Sequence, residues 1–305
     1  MFRYRFGGLH LSAEAPLTGL RSVGSASIAD VRIGTREWQP PQPEEIIYQW
    51  GGGYALRLGR VGDYWSFGSC FDGRILVAPN GRSITLAPGT RPPSAGLADI
   101  VSRRVLPRVA TLFGVTALHG ASLCKGDAGL LLLGPSGAGK STATAALAAA
   151  GWSILSDDIS IVRDEGDPLI EPCTTGVCVW PDSFAALQLD DRACVSLPGY
   201  GGKLRYDPET EHRVSPARFG ACVMLQRSAD VTAIRIERIG QAQALMSAIR
   251  QLVVFNPVAA HEDQVAEVIR LNGILSKLPT FRLSYPEGYS FLPRVADELS
   301  RLLGS

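Results

Sequence analysis

Gly134-Pro135-Ser136-Gly137-Ala138-Gly139-Lys140-Ser141 fits G-x-x-x-x-G-K-[ST] at every fixed position, and Thr142 follows it. Glycine has no Cβ, so successive backbone N–H groups at such a turn can point inward and surround phosphate oxygens. Lys140 supplies a mobile ammonium for the β- and γ-phosphates, and the Ser141 hydroxyl is of the type that ligates Mg²⁺. A helix starting near Lys140 adds the positive end of its dipole. This spacing can grip a nucleoside triphosphate tail with its metal. The candidate binding set is Gly134, Pro135, Ser136, Gly137, Ala138, Gly139, Lys140, Ser141 and Thr142. A chance glycine turn is the plain alternative. The apolar run "GLLLL" before the loop and the Ala-rich segment after it speak against that.

Asp157-Asp158 follows Lys140 by 17 residues, between the apolar runs "WSIL" and "ISIV". Carboxylates in such surroundings need partners, because buried charge is costly. Neighbouring strand residues point to opposite faces unless a turn or bulge intervenes. One carboxylate can hold Mg²⁺, and the other can accept a proton from an attacking hydroxyl. The structural alternative is a turn in which the pair caps backbone N–H groups. His119, in "ALHGAS", precedes the strand that feeds the loop; a lone histidine is more often structural than catalytic.

The elements that must position these groups are legible in outline. Residues 1–95 read as a β-rich N-terminal domain, with Asn80-Gly81 between "RILVAP" and "RSITLAP" as a hairpin signal. "PPQPEE" (40–45) reads as an extended connector and "GTRPPSAG" (89–96) as the boundary. Residues 96–305 form the second expected domain. Leu97, Ile100, Val101, Val105 and Val109 recur at helical spacing, and Pro107 should kink or divide that helix. A strand pair turning at "KGDAG" leads into the loop, and a helix follows from Ser141 to Ala150 with Gly151 as its cap. "WSILSDDISIVRD" reads as two strand segments flanking the Asp pair. "QALMSAIRQLVV", "HEDQVAEVIRLNGILSKL" and "LPRVADELSRLLG" read as helices, and "TFRLSYP" as a short strand. "YWSFGSCF" (64–71) reads as a core face rather than a binding strip, although an exposed edge of the β-rich region could accept a peptide strand.

Composition narrows the function classes. The chain has 305 residues, 46% hydrophobic, with a formal net charge of +1, which gives no basic track for nucleic acid and no polybasic membrane patch. No apolar stretch reaches a membrane span, and "MFRYRFGGLH" lacks the apolar core of a signal peptide, so a cytoplasmic location is expected. The 6 cysteines show no CxxC spacing and read as free thiols.

The order His119-Gly120, strand pair, loop, Ala-rich helix, then Gly151 and Asp157-Asp158 resembles the catalytic domain of HPr kinase/phosphorylase and its relatives. The matching block covers about 119–162. "VWPDSFAAL" (179–187), "GGKLRY" (201–206) and "LPTFRLSYPEG" (278–288) look like segments of the shorter HPr-kinase-related proteins. The "E-x-R-G-x-G" segment of true HPr kinases is absent, and Thr142 stands where they have Glu. An HPr substrate, phosphorolysis and a hexamer are therefore not carried over.

The resemblance implies an α/β fold of the phosphoenolpyruvate-carboxykinase-like P-loop type, with a mixed central sheet. It implies ATP and Mg²⁺ as cofactors and a serine hydroxyl as acceptor. Asp157 would be the base, His119 would stand beside it, and Asp158 with Ser141 would hold the metal. Lys140 would act on the phosphates, and Lys203 would contact the γ-phosphate or the acceptor; a solvated loop lysine is the alternative. The shorter relatives resemble tailoring kinases that phosphorylate the C-terminal Ser of a ribosomally made lasso-peptide precursor, which is the expected partner; a homo-oligomer is compatible. The alternatives are an HPr-type or small-metabolite kinase and a non-catalytic nucleotide-binding module.

Overall fold

The computed structural model describes residues 1–24, 28–37, 41–43, 45–51, 55–70, 73–87, 95–196, 202–208 and 212–304. Positions 40 and 44 of the "PPQPEE" connector, residues 89–94 of the expected boundary, Phe71 and Gly201 lie outside them. The described chain is a mixed α/β structure with two large sheets.

The first sheet has nine strands, all from the N-terminal third of the chain. Its pairings are antiparallel, except that Val31–Thr35 runs parallel to both Leu9–Ala13 and Ser83–Ala87. The Asn80-Gly81 hairpin forms as expected: Arg74–Val77 pairs antiparallel with Ser83–Ala87, and Gly81 takes φ +72°. A left-handed backbone there is open to glycine at no steric cost.

The second sheet has ten strands and carries the candidate site. Ala121–Lys125 and Ala128–Leu133 form the hairpin that feeds the loop. Its centre is the strand Ala217–Arg227, parallel to Ala128–Leu133 on one side. On its other side it pairs antiparallel with Pro168–Glu171 and then parallel with Thr280–Tyr285. Leu130, Leu131, Leu132 and Leu133 are all buried, as both-face burial of a central strand requires. A small third sheet joins Val177–Val179, Leu204–Tyr206 and Cys194–Ser196 beside the loop helix.

A single apolar cluster crosses between the two large sheets. It joins Phe6, Leu58 and Phe67 of the first sheet to Val105 and Val109, and to Ala117, Ile159 and Ile161 of the second. Trp65 and Phe67 meet Phe255 edge-on at 5.3 and 5.8 Å, so these aromatics of "YWSFGSCF" serve the core.

The segment after the boundary divides at Pro107, but through a π-helical turn. Ala95–Ile100 and Leu106–Thr111 are α-helical, and Val101–Val105 between them is π-helical. Proline has no N–H to give to the carbonyl four residues back, and the Leu106 N–H bonds Val101 O, five residues back. The helix expected over "QALMSAIRQLVV" stops at Ile249. Leu252–Val253 instead adds an edge strand to Thr116–His119. Among the described residues no helix is long and apolar enough to cross a membrane.

Candidate active site

The loop is built as its glycines require. Gly134, Gly137 and Gly139 take φ of +148°, +81° and +88°. A Cβ on Gly134 would lie 2.7 Å from Leu225 O, and one on Gly139 would lie 2.1 Å from the Tyr285 hydroxyl. That hydroxyl donates to Ala138 O at 2.8 Å and pins the loop to the neighbouring strand. The helix Lys140–Ala149 starts directly after Gly139. It ends in a Schellman arrangement: Gly151 N–H bonds Ala148 O, Trp152 N–H bonds Leu147 O, and Gly151 has φ +86°. Lys140 Nζ donates to Gly134 O at 2.7 Å and Pro135 O at 3.2 Å. Burial lowers its pKa, against the opposing pull of Asp158 and Asp157.

The Asp pair lies in the turn between Ser153–Ser156 and Ile159–Asp164. Asp158 has φ +75°, and this turn brings both carboxylates to one cleft. Asp157 Oδ1 accepts from Ser141 Oγ at 3.2 Å, and its Oδ2 accepts from the Cys178 N–H at 2.8 Å. The carboxylate is buried. Burial raises its pKa; the facing Arg103 guanidinium, 4.0 Å away, opposes that shift and the Asp158 charge adds to it. Asp158 has a different neighbourhood: Arg104 Nη1 at 2.5 Å and His119 Nδ1 at 3.3 Å. Burial pushes its carboxyl up, but Arg104 first, then His119, Arg103 and Lys203, bring it below the ordinary carboxylate range. Burial likewise lowers the His119 pKa, with Asp158 opposing and Lys140, Arg104 and Arg108 adding to the fall.

His119 therefore stands beside Asp158, and not beside Asp157 as the resemblance had it. The register explains this. His119 is the cross-strand partner of Ile159, and Gly120 N–H bonds Asp158 O at 3.0 Å, so the turn delivers Asp158 to the histidine.

The cleft has a volume of about 390 Å³ and brings together Lys140, Ser141, Asp157, Asp158, His119 and Lys203. Lys203 Nζ lies 5.0 Å from the Trp180 ring centroid, at the rim. The three segments "VWPDSFAAL", "GGKLRY" and "LPTFRLSYPEG" reach the cleft through Trp180 and Ser183, through Lys203, and, just past the third, through Tyr289. Sequence reasoning missed Arg103, Arg104 and Arg227. The first two sit on the π-helical turn and serve the two carboxylates; Arg103 also pairs with the buried Asp99 at 3.3 Å. A signal existed: "DIVSRRV" places one acid and two bases inside an otherwise apolar helical run. Arg227 closes the long central strand and lines the cleft, with nothing in its local sequence to mark it.

No family model matches the chain. No curated protein matches it either. Among solved structures, the Hpr(Ser) kinase/phosphatase from Coxiella burnetii is similar, at 12% identity and a TM-score of 0.33 over 61% of this chain and 94% of that one. A likeness so loose decides neither fold nor activity.

Proposed function

We propose that this chain is an ATP- and Mg²⁺-dependent kinase that transfers the γ-phosphate to a serine hydroxyl of a peptide. One observation carries the reading: Lys140, the Ser141–Asp157 hydrogen bond and the His119–Asp158 pair open into the same cleft. A module that only binds nucleotide has no use for a second carboxylate held against a histidine in the same cleft.

The donor set fits Mg²⁺. Ser141 Oγ and Asp157 Oδ1 are hard oxygen ligands 3.2 Å apart, suited to a cation that takes its other ligands from phosphates and water. Among the described residues no group of three or more His, Cys, Asp or Glu gathers into an all-protein cage. Mg²⁺ would offset charge on the phosphate oxygens during transfer. Lys140 and the loop N–H groups hold the phosphates in line. In this reading the two carboxylates exchange the roles the resemblance implied. Asp157, on the metal-binding serine, is the metal ligand. Asp158 takes the proton of the incoming hydroxyl, with His119 orienting it and Arg104 stabilising the charged form.

The acceptor assignment rests on the resemblance, which points to the C-terminal Ser of a lasso-peptide precursor. Two variants test the roles. Asp158→Asn is expected to lower kcat by ~10²–10⁴-fold with nucleotide binding retained, read by phosphate transfer to a serine peptide and by calorimetry. Asp157→Asn is expected to raise the Mg²⁺ concentration required. If Asp157→Asn alone stops transfer at an unchanged Mg²⁺ requirement, the roles revert. If both variants transfer at the native rate, the kinase reading fails.

A further inference from the structure

A second cavity of about 160 Å³ lies beyond the cleft. Gly139, Thr142, Arg227 and Tyr289 line both spaces, so the two adjoin at the first turn of the loop helix. A chain of hydroxyls marks the junction: Thr142 Oγ1 is 3.2 Å from Ser183 Oγ, which is 3.3 Å from Tyr289 Oη. The two spaces differ in chemistry. The cleft holds the Asp pair and His119, whereas the second cavity has a single carboxylate, Glu287, and aromatic and apolar walls from Tyr285, Tyr289 and Leu292.

A triphosphate on this loop has a direction. Its γ end must lie where Lys140, Ser141 and the Asp pair converge, because transfer happens there. The nucleoside therefore lies to one side of that point, and the flanks to compare are those of Trp180 and Thr142. Trp180 is two residues from Cys178, whose N–H holds Asp157; that is the flank of the reacting end. Thr142, one residue beyond Ser141, adjoins the second cavity.

The structure assigns the second cavity to the nucleoside of the bound triphosphate. The base packs on the Tyr289 ring, which is 39% exposed and free to receive it. The ribose hydroxyls donate to the Glu287 carboxylate, which can only accept. Arg227 stands at the junction, against the α-phosphate. The Trp180–Lys203 rim, on the flank of the reacting end, is left to the acceptor. This assignment rests on the triphosphate reading of the loop.

The experiment measures binding of Mg·ATP and of inorganic tripolyphosphate with Mg²⁺, by calorimetry on the full chain. The native protein is expected to bind ATP ~10-fold or more tighter than tripolyphosphate, and Tyr289→Ala to weaken ATP ~5–10-fold more than it weakens tripolyphosphate. Glu287→Gln should weaken ATP and 2′-deoxy-ATP unequally, narrowing the gap between them. Lys140→Ala should weaken both ATP and tripolyphosphate. Equal affinity for the two ligands in the native protein overturns the nucleoside site and leaves the phosphate grip standing. So does a Tyr289→Ala protein weakened equally for both, or for neither. A Lys140→Ala protein unchanged for both ligands overturns the triphosphate reading itself, and the nucleoside site with it.

Discussion

The two large sheets differ in what they bury. The N-terminal sheet buries aliphatic and aromatic side chains, with Arg21 as the one fully buried charge among its described residues. The loop-bearing sheet and the helices packed on it bury Asp99, Arg103, Arg108, Lys140, Asp157 and Glu171. The residue with the strained backbone at the site, Asp158, also belongs to the second region. Apolar burial stabilises without direction; buried charge stabilises little and fixes geometry. The first region thus supports the fold, and the second holds groups in the positions that chemistry needs. Besides the shared apolar cluster, they meet beneath the Asp pair. Arg21 donates to Thr174 O at 2.8 Å and also to Ile154 O, and the Asp157 N–H reaches Thr174 Oγ1 at 3.4 Å. The apolar sheet props the backbone beneath the buried carboxylate.

Substitutions in the two regions should separate stability from activity. Phe67→Ala, in the first sheet, is expected to cost ~3–5 kcal/mol of stability by chemical denaturation, with kcat per folded molecule unchanged. Arg103→Ala should cost a similar ~3–5 kcal/mol, because Asp99 and Asp157 lose a buried cation, and it should also lower kcat. Equal effects on kcat from both would erase the distinction. Gly139→Ala places a Cβ against the Tyr285 hydroxyl and demands φ +88° of alanine. A loss of ~1–3 kcal/mol is expected. Adding Tyr285→Phe should recover the part due to the clash and not the part due to the backbone, and weakened nucleotide binding should follow the same order.

The smallest effect is in pH. The Asp158 carboxyl, held low chiefly by Arg104 against its burial, contributes stability that is fully present above its unfolded value. That contribution is lost as pH falls through the lower folded value. The melting-temperature gap between native protein and Asp158→Asn should therefore narrow as pH falls below the ordinary carboxylate range of about 4. A gap that widens on acidification would mean the carboxyl is raised, not lowered.

Local chemistry was legible in the sequence; the long-range partners were not. Asn80-Gly81, the glycines of the loop and Gly151 each require a backbone that few residues adopt, so they announce their turns. Pro107 announced a break but not the π-helical form it took, which depends on how the ladder re-forms around it. "QLVV" reads as a helix end by pattern, yet an open edge beside Thr116–His119 draws Leu252–Val253 into the sheet. Arg103, Arg104 and Arg21 reach carboxylates and carbonyls more than fifty residues away in sequence, and no spacing rule encodes that. The partner of His119 follows from strand register, which the sequence alone left open.

In the proposed kinase the loop and the Asp158–His119 pair act on one phosphoryl group. Mass spectrometry of a serine-terminated peptide incubated with Mg·ATP tests it most directly, with native protein and Asp158→Asn compared at saturating nucleotide. The peptide should gain a phosphate with native protein and none with the variant, although the variant still binds ATP. A variant that phosphorylates at the native rate would contradict this.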